Sequence, residues 1–546
     1  MKKFFQYVLV TLLLLLGAIL LLKSILGDLL SIPNLRISNY LNPSLFVLLI
    51  VFIFCTVWKD SIRKVNVNLI VIIFLILIFL TIFQYDFYPL QVEGDGIGYF
   101  AYLRSMYFDK DIYFNNEFEA LKAFRYGVCS YQLKFDCLRY FHVPQTNMVP
   151  NSFSIGPALL WMPFYHFTDV YYRRINPNRT GYEAIYLNVL RFATLFYGFL
   201  GILFLYFTLK TMFPPHVSLL SILAIVFCSP MYAFLKTQPF YSHIHSFFAV
   251  SLFIFVLVKM KNSRNPLHWM ILGAVAGLAT LMRWQNAIFI LVPVFFVLLT
   301  LIRQELIPRK EISSLYVNFP LFALFFILFL VPQLLAFKLI FGTIYTIPQG
   351  NSFITFIPRW IIEALFSANH GLFHWHPFLI FGLIGFFLPV RKSLPDYTDR
   401  TLFYSNSVGF GLQTYVNASI PQYWAGASFG ARRFIDSFVF LSFGMANFIE
   451  RVFRKKTGRT IFMVSFNFFV VFNIFMEKAY IKNVFHHERP FHLLKLANVS
   501  LACLISDLKQ NPKYVLFLAA FLVLVNLTIH LIRGKGEPAG GVGSPS

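Results

Sequence analysis

The chain has 546 residues, of which 58% are hydrophobic and only 13% charged, which excludes a soluble globular, disordered or fibrous protein. Its 46 Lys and Arg against 23 Asp and Glu give a net charge of +23, and 5 cysteines are too few for a disulfide scaffold. These figures describe an all-α polytopic membrane protein, and the placement of the charges decides what the basic excess means.

Met1-Lys-Lys precedes an apolar run from about Phe4 to Leu22, longer than a signal-peptide core and without a small-residue cleavage site before Lys23. It reads as a retained first helix. Two further runs, near 45–58 and 69–83, flank the short basic stretch Lys59-Asp-Ser-Ile-Arg63-Lys64, which places that stretch and the N terminus in the cytoplasm. Everything after Tyr85 then emerges on the outer face.

Apolar runs resume near 189–209, 217–235, 244–258, 269–282, 286–302, 317–341, 374–390, 401–420, 434–449, 460–476 and 514–532. The spacing predicts a bundle of about 12–14 transmembrane helices. Alternation puts Lys210, Lys259/Lys261/Arg264, Arg303/Arg309/Lys310, Arg391/Lys392/Arg400, Arg451 to Arg459 and Arg533/Lys535 all inside. Every inner loop is therefore basic, so the +23 needs no nucleic-acid partner. Five regions follow: three N-terminal spans over 1–85, a large outer loop over 86–188, and a transmembrane core over 189–476. An outer segment with the last helix covers 477–532, and a flexible cytoplasmic tail covers 533–546.

The large outer loop mixes apolar and charged residues at helical spacing over Phe108 to Tyr113 and Phe118 to Phe124, which predicts short amphipathic helices on the membrane surface. Cys129 and Cys137 stand eight positions apart there, in a compartment where a disulfide persists; a bridge and two free thiols are equally open. Cys55, Cys228 and Cys503 read as buried thiols.

Chemistry-bearing residues gather at outer helix ends. Glu93-Gly-Asp95-Gly-Ile-Gly98-Tyr99 follows the third span, with Asp95 and Tyr99 on one face of a helix start, a setting for a general base. On local sequence alone the favoured reading is that Asp95 caps a helix beginning at Gly96. Arg283, with Gln285 and Asn286, and Arg432-Arg433, after Trp424, lie against the positive-inside bias and call for anionic partners. A phosphate suits an Arg fork, and an internal pair with Asp436 or Glu363 suits it equally. Ser242-His243-Ile-His245 and His370-Gly-Leu-Phe-His374-Trp375-His376 add acid–base candidates whose spacing leaves room for a divalent metal, although interfacial His is commonly without such a duty. The absence of carboxylates from predicted helix centres argues against ion-coupled transport.

Together these blocks, from Glu93-Gly-Asp95 with Tyr99 and Tyr102 through Gly277 to Asn286 to Ser428-Phe-Gly-Ala-Arg432-Arg433, resemble the GT-C superfamily of integral-membrane glycosyltransferases. The resemblance is strongest to bacterial relatives of the protein O-mannosyltransferases and aminoarabinose transferases. It implies a GT-C-like bundle and transfer of a sugar from a polyprenyl-phosphate-linked donor to a lipid, glycan or protein acceptor on the non-cytoplasmic face, in a bacterial inner membrane. Asp95 would act on the acceptor hydroxyl, with Glu93 as helper. Arg283, Arg432 and Arg433 would hold phosphate, and Tyr99, Tyr102, His243, Gln285, Asn286, His370, His374 and Trp424 would line the substrates. No cofactor is required by the resemblance, and metal dependence stays open because Glu93-Gly-Asp95 departs from the adjacent acidic pair of many members. The rival readings are a lipid-linked glycan transporter or flippase without transfer chemistry, a structural protein, and an acyltransferase that would depend on His243 or His374.

Overall fold

The computed structural model describes residues 66–84, 91–121, 142–260, 263, 265–303, 309–390, 397–484, 490–510 and 512–536. The expected spans near 4–22 and 45–58, Cys129 with Cys137, and most of the tail lie outside the described residues. All regular elements described are helical. In chain order they are α1 (Val67–Gln84), α2 (Asp95–Arg104), α3 (Asn115–Ala120), α4 (Gly156–Tyr172), α5 (Ala184–Leu209), α6 (Pro215–Phe227), α7 (Met231–Lys236), α8 (His243–Met260), α9 (Pro266–Met282) and α10 (Leu291–Arg303). There follow α11 (Arg309–Phe341), α12 (Ile361–Phe366), α13 (Leu372–Trp375), α14 (Ile380–Phe387), α15 (Tyr397–Ala418), α16 (Phe438–Val452), α17 (Lys456–Ile481), α18 (Leu493–Gln510) and α19 (Pro512–Gly536).

Among the described residues, α5, α8, the Asn318–Phe341 part of α11, and α17 are long and apolar enough to cross a membrane, and six shorter apolar helices accompany them. The chain is an integral membrane protein. Three runs expected as single spans are broken. The first, 217–235, divides at Ser229-Pro230 into α6 and α7, because Pro230 has no N–H to continue the ladder. The second, 286–302, starts as a 3-10 helix over Trp284–Ile290. The third, 374–390, turns at His376, whose φ of −127° and ψ of 68° are non-helical as the residue before Pro377 requires. Helix α18 also occupies much of what reads from sequence as an outer loop at 477–512.

Close helix approach relies on missing side chains. A Cβ on Gly273 or Gly277 of α9 would strike the carbonyls of Phe322 or Phe326 on α11, and one on Gly385 of α14 would strike Gly444 of α16. Phe378, Phe381, Phe448 and Phe462 add an aromatic layer, with Phe381 and Phe448 stacked at 4.7 Å.

The described part of 91–188 folds around two arginines. Arg104, at the end of α2, pairs with Asp109 and Glu117 and lies 4.9 Å from the Tyr182 ring, while Arg179 pairs with Asp169, which also accepts from Tyr186 at 2.7 Å. The helix expected over 108–113 is absent: Ser105–Asp109 forms one π-helical turn that stops at Lys110, at φ 63°. Its neighbour starts at Asn115, earlier than the expected 118, and turns Glu117 fully inward.

Burial, the largest influence, pushes Glu117 up to about 7 against the opposing pull of Arg104. Folding therefore favours the protonated carboxyl. This contribution is complete below the ordinary value of 4.5 and is lost as pH rises through about 7. Glu117→Gln is expected to flatten that limb, read as outer-loop amide exchange between pH 5 and 8.

Candidate active site

The acidic motif turns sharply at Gly94, whose φ of 54° suits glycine and whose missing Cβ leaves room for the Tyr241 hydroxyl. Helix α2 begins at Asp95 with Gly94 at its cap position, and no side chain caps it, so the cap reading of Asp95 is replaced. The carboxylate instead reaches Arg432, with Oδ2 2.9 Å from Nη1. The Arg432 guanidinium lies 5.2 Å from the centroid of the Tyr241 ring. Tyr241 thus contacts the Gly94 turn and the Arg432 guanidinium, while Glu93 is exposed beside the motif.

Behind this pair sits a second one. Arg283, just past α9, donates from Nη1 to Asp436 Oδ2 at 2.9 Å and from Nη2 to Gln285 Oε1 at 3.1 Å, and its Nη1 lies 2.7 Å from His243 Nδ1. Gln285 also donates to Asp436 Oδ2 at 2.8 Å. His243 Nδ1 must accept from the guanidinium, which fixes a neutral imidazole with its proton on Nε2. Tyr99 projects from α2 on the same side as Asp95 and meets Ser242 at 2.8 Å. Burial, then the Asp95 charge, pushes its hydroxyl up to about 12, so it remains a neutral hydrogen-bonding group.

Arg433 differs from its neighbours. It donates to the Gln422 carbonyl at 2.7 Å and lies 5.8 Å from the Phe353 ring, and among the described residues no carboxylate pairs with it. Burial, with Arg432 and Arg283 nearby, pushes it down to about 9, still a cation at neutral pH. Three arginines and two aspartates therefore converge from the start of α2, the end of α9 and the 3-10 turn Arg432–Ser437, with Glu93 exposed at their edge.

Other candidates stand apart from this cluster. Tyr102 points into the core with its ring 4.9 Å from Phe114. The Asn286 amide is used on Ser246 at 2.6 Å and the Ala279 carbonyl at 2.8 Å, tying α8 to α9. His370, at φ 60°, stacks on Trp375 at 4.5 Å, and His374 bonds the Phe491 carbonyl at 2.7 Å. Trp424 packs on Tyr423, two residues from the carbonyl that Arg433 holds. Among the described residues no three His, Cys, Asp or Glu gather as a metal site.

Sequence spacing misses Tyr241, and it offers His376 only as an acid–base or metal candidate, whereas the structure gives it a packing contact. Asn473 donates both amide hydrogens, to Phe227 and Ser229 carbonyls at 3.0 and 2.8 Å, so its Oδ1 accepts from His376 Nδ1 at 3.0 Å. His376 Nε2 then fills the space where Gly430, at φ 60°, lacks a Cβ. Gly430→Ala is expected to displace the Arg432 turn, because the added Cβ would meet His376 Nε2 at a residue with positive φ; a lowered midpoint of thermal unfolding in detergent reads this out.

Residues 187–335 match the family model of dolichyl-phosphate-mannose-protein mannosyltransferases, and over this segment the resemblance to GT-C glycosyltransferases holds. Among solved structures, the crystal structure of the Archaeoglobus fulgidus oligosaccharyltransferase in the apo form is similar at 13% identity and a TM-score of 0.40. The match covers 86% of this chain and 56% of that one, so the chain spans little more than half the length of that relative. No curated protein matches.

Proposed function

We propose that the chain is a glycosyltransferase that moves a sugar from a polyprenyl-phosphate-linked donor to a hydroxyl of a lipid, glycan or protein acceptor on the non-cytoplasmic face of a bacterial inner membrane. The observation that carries this reading is the Asp95–Arg432 pair at 2.9 Å beside Arg433, which has no carboxylate partner among the described residues. A base and an anion site thus adjoin at helix ends, and the sequence alternation of basic loops supports reading those ends as outer. The mannosyltransferase match over 187–335 supports the same class and contains Arg283.

In this reading the acceptor hydroxyl attacks the anomeric carbon while Asp95 takes its proton, and the bond to the phosphate oxygen breaks. The leaving polyprenyl phosphate needs charge stabilisation more than protonation, and Arg433 with Arg432 supplies it. Arg283 holds the site's shape, because its donors already serve Asp436, Gln285 and His243. Glu93 lies exposed two residues before Asp95, as a helper toward the acceptor. The five-region division of the chain is proposed alongside, with 86–188 carrying the base and 189–476 the arginines.

Membranes holding the full chain, incubated with a panel of polyprenyl-monophosphate sugars and native extract, test the reading. Transfer of label with stoichiometric release of polyprenyl phosphate is expected for at least one donor. Movement of the intact lipid-linked glycan across the membrane without release would replace it with transport.

A further inference from the structure

The two ion pairs at the site are built differently. Asp436 is fully buried and Arg283 has 14% of its side chain exposed; the pair is braced by Gln285 and by His243. Asp95 has 33% of its side chain exposed and meets Arg432 through one guanidinium nitrogen, with Tyr241 below the guanidinium plane. Arg433, the next residue, has no carboxylate partner among the described residues. Arg283 is therefore braced by two further polar partners, while Arg432 meets a part-exposed carboxylate and a ring face, beside a cation with no carboxylate partner among the described residues.

We propose that Arg432 is a partner-exchanging residue: in the donor-free chain it occupies Asp95, and a prenyl-linked phosphate arriving at Arg433 draws it away and releases the carboxylate for the acceptor. The inference rests on the donor reading above and adds an order to it. The guanidinium occupies the carboxylate oxygen that an acceptor hydroxyl would approach, so the base is blocked until the donor is seated. The acceptor then binds productively only to the donor complex, which protects the activated sugar from a base acting early on water. Tyr241 allows the exchange with little motion, because its ring supports the guanidinium from the face, and rotation about the last side-chain bonds changes the edge it presents. No covalent step is added: the carboxylate and the phosphate compete for the same N–H donors.

Competition has a signature opposite to that of an ordinary site lesion. Removing the Asp95 charge abolishes transfer but makes the donor phosphate bind more tightly, because Arg432 no longer has to leave a carboxylate. The full chain in lipid nanodiscs is titrated with geranylgeranyl monophosphate, and with geranylgeraniol as the neutral control, by isothermal calorimetry. Asp95→Asn is expected to lower the Kd for the phosphate by about two- to fivefold, the range for a partly exposed ion pair that need no longer break. Glu119→Gln, which removes one exposed charge from the same outer loop, is expected to leave it unchanged and controls for the general rise in positive potential. Unchanged or weaker binding by Asp95→Asn, with the wild type still preferring the phosphate, overturns the exchange and leaves the donor reading standing. A wild type that binds phosphate and alcohol alike overturns both.

Discussion

Asp95→Asn is expected to reduce sugar transfer by about 10²- to 10⁴-fold, the contribution of a positioned general base, with protein level in the membrane unchanged. The amide keeps the size of the carboxylate and its carbonyl can still accept from Arg432, so helix α2 and the turn at Gly94 have no steric reason to move. What disappears is the site for the acceptor proton. Glu93 is exposed and lies two residues away across the turn, so Glu93→Gln is expected to cost far less, within about tenfold, as a group that assists without taking the proton in the transition state. Initial rates of label transfer at saturating donor separate the two variants. Equal losses would give the base role to the acidic pair as a unit, and an unaffected Asp95→Asn would remove Asp95 from the chemistry.

The sequence carries the membrane class for a simple reason: apolar length is a local property, readable without contacts. Partnership is not local. Arg283 and Asp436 are 153 positions apart, and nothing in spacing distinguishes that pairing from snorkelling or from Glu363. The Asp95 cap illustrates a finer limit, since moving a helix start by one residue transfers the cap to Gly94 and frees the carboxylate. Broken spans were readable in principle from Pro230 and Pro377, where the missing N–H interrupts an otherwise uniform apolar run. The histidines divide for the same reason as the arginines. His243 meets a site arginine, whereas His374 is spent on a main-chain carbonyl and His370 on a ring face, and only packing separates those outcomes.

Asp436→Ala is expected to be the most damaging change to the fold around the site. Removing one member of a buried pair leaves the other charge uncompensated, a loss of about 3–5 kcal/mol. Here the stranded group is Arg283, with only the Gln285 oxygen and the His243 nitrogen left to it, and Gln285 loses its own acceptor in the same step. The expected result is a lowered midpoint of thermal unfolding in detergent and a loss of the chain from membranes at higher temperature. Arg283→Met combined with Asp436→Leu removes both charges and fills similar volume, so it is expected to recover most of that stability. The double variant then separates two duties that the single ones confuse. If it folds and still binds a prenyl phosphate near the wild-type Kd, Arg283 serves as scaffold and the anion is held by Arg432 and Arg433. If it folds and loses that binding by tenfold or more, Arg283 contributes its charge to the phosphate directly, despite its existing partners.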